Sequence, residues 1–254
     1  IENKMVEALD ASVIKMLSKG EQPSPQLILC LASYKSLCEY NWGDSIHLVS
    51  SIKEVLERQV LAPREEEILK SDILILEEIT DQVSLKVREQ YESHPYPKWV
   101  RLGLPLSPYS ISEKVRRSHL KLFGHSVTEV RSPRILIAGC GTGQQSITAA
   151  ATYDNSKVLA IDLSLKSLAY AKRKTQELGI QNIEYMQGDI LNLSKMNEEF
   201  DIIECVGVLH HMEDPMAGWQ TLKDCLKLGG LMKVGLYSEA ARKHIVKVRE
   251  EING

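Results

Sequence analysis

The sequence lacks the features that mark membrane-spanning, secreted and disulfide-stabilised proteins. Its 254 residues contain no apolar run that approaches the roughly 18 residues of a spanning helix. The amino terminus, IENKMVEALD, has neither the basic flank nor the apolar centre of a signal peptide. The five cysteines are odd in number and form no Cys-x-x-Cys pair, so neither a disulfide framework nor a zinc site is indicated. A cytoplasmic protein with no membrane partner is therefore expected.

A strong excess of charge is also missing. The formal net charge is −3, and the 43% of apolar and 26% of charged residues are typical of a globular protein. This balance argues against a broadly basic surface, so nucleic acid is not indicated as a partner, although a local basic patch stays open. The first residue is Ile1 and not Met, from which we expect a fragment or a processed product.

Residues 1–90 have the pattern of a helical amino-terminal domain. Apolar side chains recur at helical spacing from Met5 to Leu17, from Leu27 to Cys38 and from Ser45 to Leu56. Pro63, followed by three glutamates, has the chemistry of a helix start. No tetratricopeptide consensus recurs at a fixed period. We expect this domain to pack, cap or recruit a partner, with direct substrate contact as the alternative.

The composition changes at Tyr91, where residues 91–108, here called the proline-rich segment, carry four prolines and three aromatics. Proline disfavours helix, so residues 91–131 are predicted to form a linker or lid and a lead-in helix. Aromatic rings with polar tips can enclose a small ligand, which makes His94, Tyr96 and Trp99 candidates for an acceptor pocket. Packing against the core is the alternative for all three.

A buried parallel strand is predicted at Arg134–Ala138, followed by a glycine loop and a helix. The loop is Gly139-Cys140-Gly141-Thr142-Gly143-Gln144. Glycines let a ligand approach the backbone closely, and the helix amino terminus offers unpaired donors. A dinucleotide fingerprint would place its third glycine at position 144, where Gln144 stands, so a nicotinamide cofactor is disfavoured but stays open.

The next predicted strand, Lys157–Ile161, ends at Asp162, whose carboxylate can accept hydrogen bonds from both hydroxyls of an unphosphorylated ribose. This residue favours a nucleoside cofactor. Its alternative role is to cap the following helix, although Ser164 can supply that cap instead. Further predicted strands are Ile183–Met186, Phe200–Cys205 and a fifth reached through Leu228–Val234. The alternation predicts a doubly wound, mostly parallel α/β sheet that binds ligands at its carboxyl edge.

Five stretches together resemble class I S-adenosylmethionine-dependent methyltransferases between about Ser132 and Ser238. They are AGCGTGQ, the acid in AIDLS, GDI, FDIIECVGVLHHMEDP and LKLGGLMKVGLYS. In addition, ESHPYPKW is similar to a segment of methyltransferases that follow helical repeats. The resemblance implies a Rossmann-like methyltransferase domain over residues 132–254, S-adenosylmethionine as the cofactor and an unidentified methyl acceptor as the partner.

The resemblance also implies where the cofactor binds. The glycine loop would surround its methionine part, Asp162 its ribose and Asp189 with Ile190 its adenine, while the stretch from Cys205 to Val208 would border the sulfonium. The expected cofactor-binding residues are Gly139, Cys140, Gly141, Gly143, Gln144, Asp162, Leu163, Asp189, Ile190, Cys205 and Val206.

Two histidines follow the fourth predicted strand. His210 is the candidate base or acceptor-orienting group, and His211 is a candidate for the acceptor pocket, with loop packing as the alternative for both. No metal is predicted, because adjacent side chains diverge and no second ligand motif accompanies these histidines. A cofactor-binding module without turnover and a nicotinamide oxidoreductase are the alternative functions.

The last predicted element is a helix at Glu239–Ile252. By the resemblance, a complete core needs two more strands, which would form an antiparallel edge beside the fifth strand. We therefore expect a carboxy-terminally truncated core. Its exposed edge would pair with amino-terminal residues or with another molecule, including a second copy in a homo-oligomer.

Overall fold

A computed structural model describes residues 2–253. The chain divides into a helical unit, Ile1–Ile68, and a sheet unit, Leu69–Gly254. This division lies earlier in the sequence than the predicted boundary near residue 90. The reason is that Leu74–Ile75 forms a strand of the sheet, so the residues around it fold with the sheet unit.

The helical unit is built from short helices and turns around one apolar core. Its α-helices are α1 (Glu2–Ser18), α2 (Pro25–Ala32), α3 (Lys53–Leu56) and α4 (Ala62–Lys70), the last of which extends past the unit's final residue. Between them lie 3₁₀ turns at Leu37–Glu39, Gly43–Ser45 and Ser50–Ile52 and a π-helical turn at Glu57–Leu61. The core includes Val13, Ile28, Leu31, Trp42 and Leu56.

Pro63 does not begin a helix as predicted. It lies inside a helical stretch that runs from α3 through the π-helical turn into α4. Proline has no amide hydrogen to offer the carbonyl four residues earlier and crowds it, and a π-helical turn relieves this conflict. The carbonyl in question belongs to Gln59, and it accepts a hydrogen bond from Ser36 Oγ at 3.5 Å instead.

The described residues of the sheet unit form six parallel strands. They are β1 (Leu74–Ile75), β2 (Arg134–Ala138), β3 (Lys157–Asp162), β4 (Ile183–Gln187), β5 (Phe200–Val206) and β6 (Leu226–Gly235), in the order β1-β4-β3-β2-β5-β6. The helices are α5 (Gln82–Ser93), α6 (Ile111–Arg117), α7 (Gln144–Thr152), α8 (Leu165–Glu177), α9 (Pro215–Asp224) and α10 (Glu239–Asn253). From β2 the chain first adds β3 and β4 on one side and then adds β5 and β6 on the other side. This reversal of the strand order places a crevice between the carboxyl ends of β2 and β5.

Both faces of the sheet are buried. Ile135 and Ile137 of β2 pack in one apolar cluster, whereas Leu136 and Ala138 of the same strand pack in another. Successive strand residues point to opposite faces, so these two clusters are the two layers of a doubly wound fold. The five strands predicted from the sequence are all present, and their parallel order confirms the predicted fold class.

One edge of the sheet carries a strand that the sequence did not predict, whereas the other edge has the predicted arrangement. The strand that was not predicted, β1, pairs with β4 at one edge. At the other edge, β6 pairs with β5, and within residues 2–253 no antiparallel strand lies beside it. None of the helices formed by these residues has the length and apolar character needed to cross a bilayer.

Candidate functional site

A cavity of about 440 Å³ lies at the carboxyl ends of the strands, where the sheet order reverses. Its volume is within the range of about 300–1,000 Å³ that is usual for small-molecule sites. The loops after β2, β3, β4 and β5 contribute to its walls, as do α5 and Tyr237 after β6. This is the position at which doubly wound sheets bind their ligands.

The glycine loop is joined to Asp162 by its backbone. The amide of Gly141 donates a hydrogen bond to Asp162 Oδ2 at 2.7 Å, which fixes the loop against the end of β3. Gly141 has a φ of +51°, and a Cβ at this position would lie 3.3 Å from the carbonyl oxygen of Tyr96. The loop therefore passes through a gap that suits glycine. Of the expected loop residues, Gly139, Cys140, Gly141 and Gln144 line the cavity.

Asp162 and Leu163 line the cavity beside this loop. Asp162 Oδ1 accepts a hydrogen bond from the amide of Ser164 at 3.0 Å. Ser164, and not Asp162, caps α8, because its Oγ accepts from the amide of Ser167 at 3.1 Å. Burial raises the pKa of the Asp162 carboxyl, an effect that the bonds from Ser164 and Gly141 partly offset. With one amide on each oxygen, the carboxylate keeps acceptor capacity for two further donors.

Asp189 and Ile190 form the cavity wall after β4. Asp189 is buried and caps the 3₁₀ helix Ile190–Met196, since its Oδ1 accepts from the amide of Leu191 at 3.0 Å. Gly188 in front of them packs against Leu76, which follows β1. The added edge strand thus closes this side of the site.

Two of the expected cofactor residues lie outside the cavity lining. Gly143 precedes α7 with a φ of +87°, and a Cβ there would stand 2.6 Å from Ala171 Cβ on α8. Its small size therefore serves helix packing. Cys205 is fully buried in the core, and burial raises its pKa to about 12. Its neighbour Val206 points the other way and lines the cavity.

The proline-rich segment contributes Tyr96 and Pro97 to the cavity wall, but not His94 or Trp99. His94 is exposed at the end of α5, where its amide donates to the carbonyl of Gln90 at 3.0 Å. Trp99 is 7% exposed and packs edge-on against Tyr170, with the ring centroids 6.1 Å apart. For Trp99, the structure shows the packing alternative.

His211 lines the cavity, whereas His210 lies behind it. The His210 ring is 4.2 Å from His211 and 4.1 Å from Tyr237, centroid to centroid. Among the described residues, neither ring nitrogen of His210 has a hydrogen-bond partner. Burial lowers the pKa of both imidazoles, so both are neutral at physiological pH. The part of the chain that is described brings no three histidine, cysteine or carboxylate side chains together as a metal site.

The sequence reasoning missed one wall of the cavity. Ser84, Val87 and Tyr91 line it from α5, and their i, i+3, i+7 spacing places them on one helix face. The sequence held a usable signal for this wall, since Asp81 marks a helix start and the spacing after it places the three residues on one face. In the structure Asp81 caps α5 by accepting from the amide of Ser84 at 2.8 Å. Gly207 and Val208, which the resemblance places beside the sulfonium, line the cavity. Other lining residues that were not expected are Pro97, Thr142, Gln145, Gly188, Met212 and Tyr237.

The sheet order, the glycine loop and the acid at the end of β3 are typical of Rossmann-like domains that bind a nucleoside cofactor. Residues 135–230 match the family model described as a methyltransferase domain. Residues 135–230 therefore carry a methyltransferase domain, and S-adenosylmethionine is its cofactor.

The similarity to known proteins covers only part of this chain and part of each relative. A protein of Synechococcus sp. without an assigned function is 32% identical over 173 residues, which cover 68% of this chain and 41% of that protein. A ubiquinone biosynthesis O-methyltransferase of Haemophilus ducreyi is 28% identical over 120 residues, which cover 45% of this chain and 50% of that protein. The chain thus spans half or less of the length of these relatives.

A solved structure of magnesium protoporphyrin IX methyltransferase from Synechocystis, with bound S-adenosylhomocysteine, has a TM-score of 0.46 to this chain. The two are 19% identical, and the similarity covers 66% of this chain and 78% of that chain.

Proposed function

We propose that the protein transfers a methyl group from S-adenosylmethionine to an acceptor that enters the cavity beside His211. The observation that carries this proposal is the mixed lining of one cavity. Asp162 and Asp189 supply acceptors for a nucleoside, and Tyr91, His211 and Tyr237 supply aromatic and imidazole rings. A single space with both kinds of group suits two ligands that must meet.

When bound, S-adenosylmethionine supplies a methyl group on a sulfonium, which is an electrophile with a good leaving group. The residues of the site then contribute mainly by holding the two ligands in line at attack distance. Asp162 would accept hydrogen bonds from the ribose hydroxyls, and the glycine loop at Gly139 and Gly141 would lie beside the methionine part. Ile190 and Val206, both in the cavity wall, would exclude water from the neighbouring surfaces.

An acceptor that loses a proton needs a base close to the cavity. His211 suits this role better than His210, because His211 lines the cavity and His210 does not. Its lowered pKa keeps the imidazole in the base form at neutral pH. His210 would support it from behind through the contact between their rings.

The named relatives support an oxygen atom as the first acceptor to test. Ubiquinone biosynthesis O-methyltransferases from several bacteria are 28–30% identical to this chain over 98–120 residues. An acceptor hydroxyl would carry the proton that His211 is placed to accept.

The test combines a binding measurement with a turnover measurement. Calorimetry with S-adenosylmethionine and with NAD comes first, followed by S-adenosylhomocysteine release across hydroxyl, amine and thiol acceptors. We expect S-adenosylmethionine binding, turnover with one acceptor class, and a loss of turnover of about 100-fold or more in His211→Gln with unchanged cofactor affinity. Binding without product for any acceptor would favour a cofactor-binding module, and preferential NAD binding would refute the proposal.

A further inference from the structure

The proline-rich segment and the glycine loop are joined by a reciprocal pair of hydrogen bonds. Trp99 Nε1 donates to the backbone carbonyl of Thr142 at 2.9 Å. In return, Thr142 Oγ1 donates to the backbone carbonyl of Pro97 at 2.5 Å. Each bond uses a side chain of one segment and a carbonyl of the other. The two segments are therefore fixed to each other in register.

Trp99 is in turn held by the helices beneath it. The hydroxyl of Tyr170 on α8 donates to the carbonyl of Trp99, and the two rings pack edge to face. Trp99, Tyr170 and Ile147 of α7 form a small buried cluster of their own. A residue anchored on two helices is a rigid support for the loop that it contacts.

The contact lies next to the part of the loop that faces the cavity. Gly141 has Asp162 on one side, through its amide, and the Tyr96 carbonyl 3.3 Å from its hypothetical Cβ on the other. Thr142 is only 1% exposed and lines the cavity, whereas Trp99 lies outside the lining. Trp99 can therefore affect a bound cofactor only indirectly, through the loop or through Tyr96 and Pro97 of its own segment.

We propose that Trp99 and Thr142 are positioning residues that hold the glycine loop in its binding conformation before the cofactor arrives. The proposal rests on the proposed function for the identity of that cofactor. In this view residues 96–99 are a fixed wall of the site and not a lid that closes on the ligand. Detaching them would break the buried hydrogen bond to the Thr142 carbonyl and the half-buried one to the Pro97 carbonyl, which opposes opening.

The first test measures S-adenosylhomocysteine affinity by calorimetry in variants that differ by one donor. Thr142→Val keeps the shape but loses the hydroxyl, and its matched control Thr142→Ser keeps the hydroxyl. Trp99→Phe keeps an aromatic ring but loses the indole donor. We expect Kd to rise about tenfold in Thr142→Val and Trp99→Phe, the equivalent of one such bond, and to stay within about twofold in Thr142→Ser. Circular dichroism checks that each variant folds.

The Trp99→Phe result separates positioning from direct contact, because Trp99 does not line the cavity. Wild-type affinity in folded Trp99→Phe would overturn the proposal, as would equal affinities in Thr142→Val and Thr142→Ser. Absence of S-adenosylhomocysteine binding by the wild-type protein would instead refute the proposed function, and the positioning role would fail with it.

The second test measures proteolysis of the cofactor-free protein, with S-adenosylhomocysteine added only as a comparison. Lys98 and Arg101 are exposed tryptic sites on either side of Trp99. We expect slow cleavage there in the cofactor-free wild-type protein and in Thr142→Ser, and faster cleavage in Thr142→Val and Trp99→Phe. Rapid cleavage of the cofactor-free wild-type protein, with protection only after S-adenosylhomocysteine is added, would show a ligand-closed lid and overturn the proposal.

Discussion

Replacing Gly143 by alanine tests whether this glycine serves helix packing. Its φ of +87° is in the left-handed region, which costs an L-residue about 1–2 kcal/mol. The new Cβ would also stand 2.6 Å from Ala171 Cβ and 3.1 Å from Ala171 Cα, so α7 and α8 must separate. Overpacking of this kind costs about 1–3 kcal/mol. We therefore expect the free energy of unfolding of the sheet unit to fall by about 2–5 kcal/mol.

Gly179→Ala is the matched control, because Gly179 has a φ of +68° but no described atom within 4 Å of its hypothetical Cβ. Only the backbone cost of about 1–2 kcal/mol applies there. Urea denaturation is monitored through hydrogen exchange of the β2 and β3 amides, which reports the unfolding of the sheet unit separately from that of the helical unit. Equal destabilisation by the two substitutions would refute the packing role of Gly143.

Three further predictions concern charged groups. Asp162→Ala should weaken S-adenosylmethionine binding by about 1–3 kcal/mol in calorimetry, because a charged acceptor is lost, and wild-type affinity would remove Asp162 from the site. Burial raises the pKa of Asp162, so acidification should weaken cofactor binding at a higher pH than an ordinary aspartate would, a dependence that Asp162→Asn should abolish. Buried Asp201 accepts from the Arg134 amide at 2.8 Å and from Lys227 Nζ at 2.9 Å, so Asp201→Ala should destabilise the protein by about 1–3 kcal/mol in urea denaturation. A cost in Asp201→Asn equal to that in Asp201→Ala would contradict this account, since the amide oxygen keeps one acceptor.

The central strands could be predicted because each is buried on both faces. A strand such as Arg134–Ala138 must be apolar at successive positions. Its continuous run of apolar residues differs from the apolar residues three or four apart that mark the helices around it. The residues at the carboxyl ends of such strands and just beyond them then mark the cavity, as Asp162 and Asp189 do. This part of the site follows from local sequence because the strand and the loop after it are contiguous.

Side-chain direction limited the prediction of individual site residues. Cys205 and Val206 are neighbours at the end of β5, and strand geometry allows only one of them to face the cavity. Similarly, the spacing of the glycines in the loop does not show that Gly141 borders the cavity whereas Gly143 packs closely against Ala171. Both distinctions depend on which helix packs over which end of the sheet, a property of the tertiary structure.

The α5 wall of the cavity depends on β1, which gives almost no signal of its own. Leu74 and Ile75 are exposed, and two residues cannot show a strand period. Yet their pairing with Met186 and Gln187, extended by the bond from the Leu76 amide to the Gln187 carbonyl at 2.8 Å, fixes the chain beside Gly188. At its other end, α5 is fixed where Glu92 accepts from the Lys166 amide of α8 at 3.2 Å. Because both ends are held at the carboxyl edge of the sheet, α5 must cross that edge, which is why Ser84, Val87 and Tyr91 line the cavity.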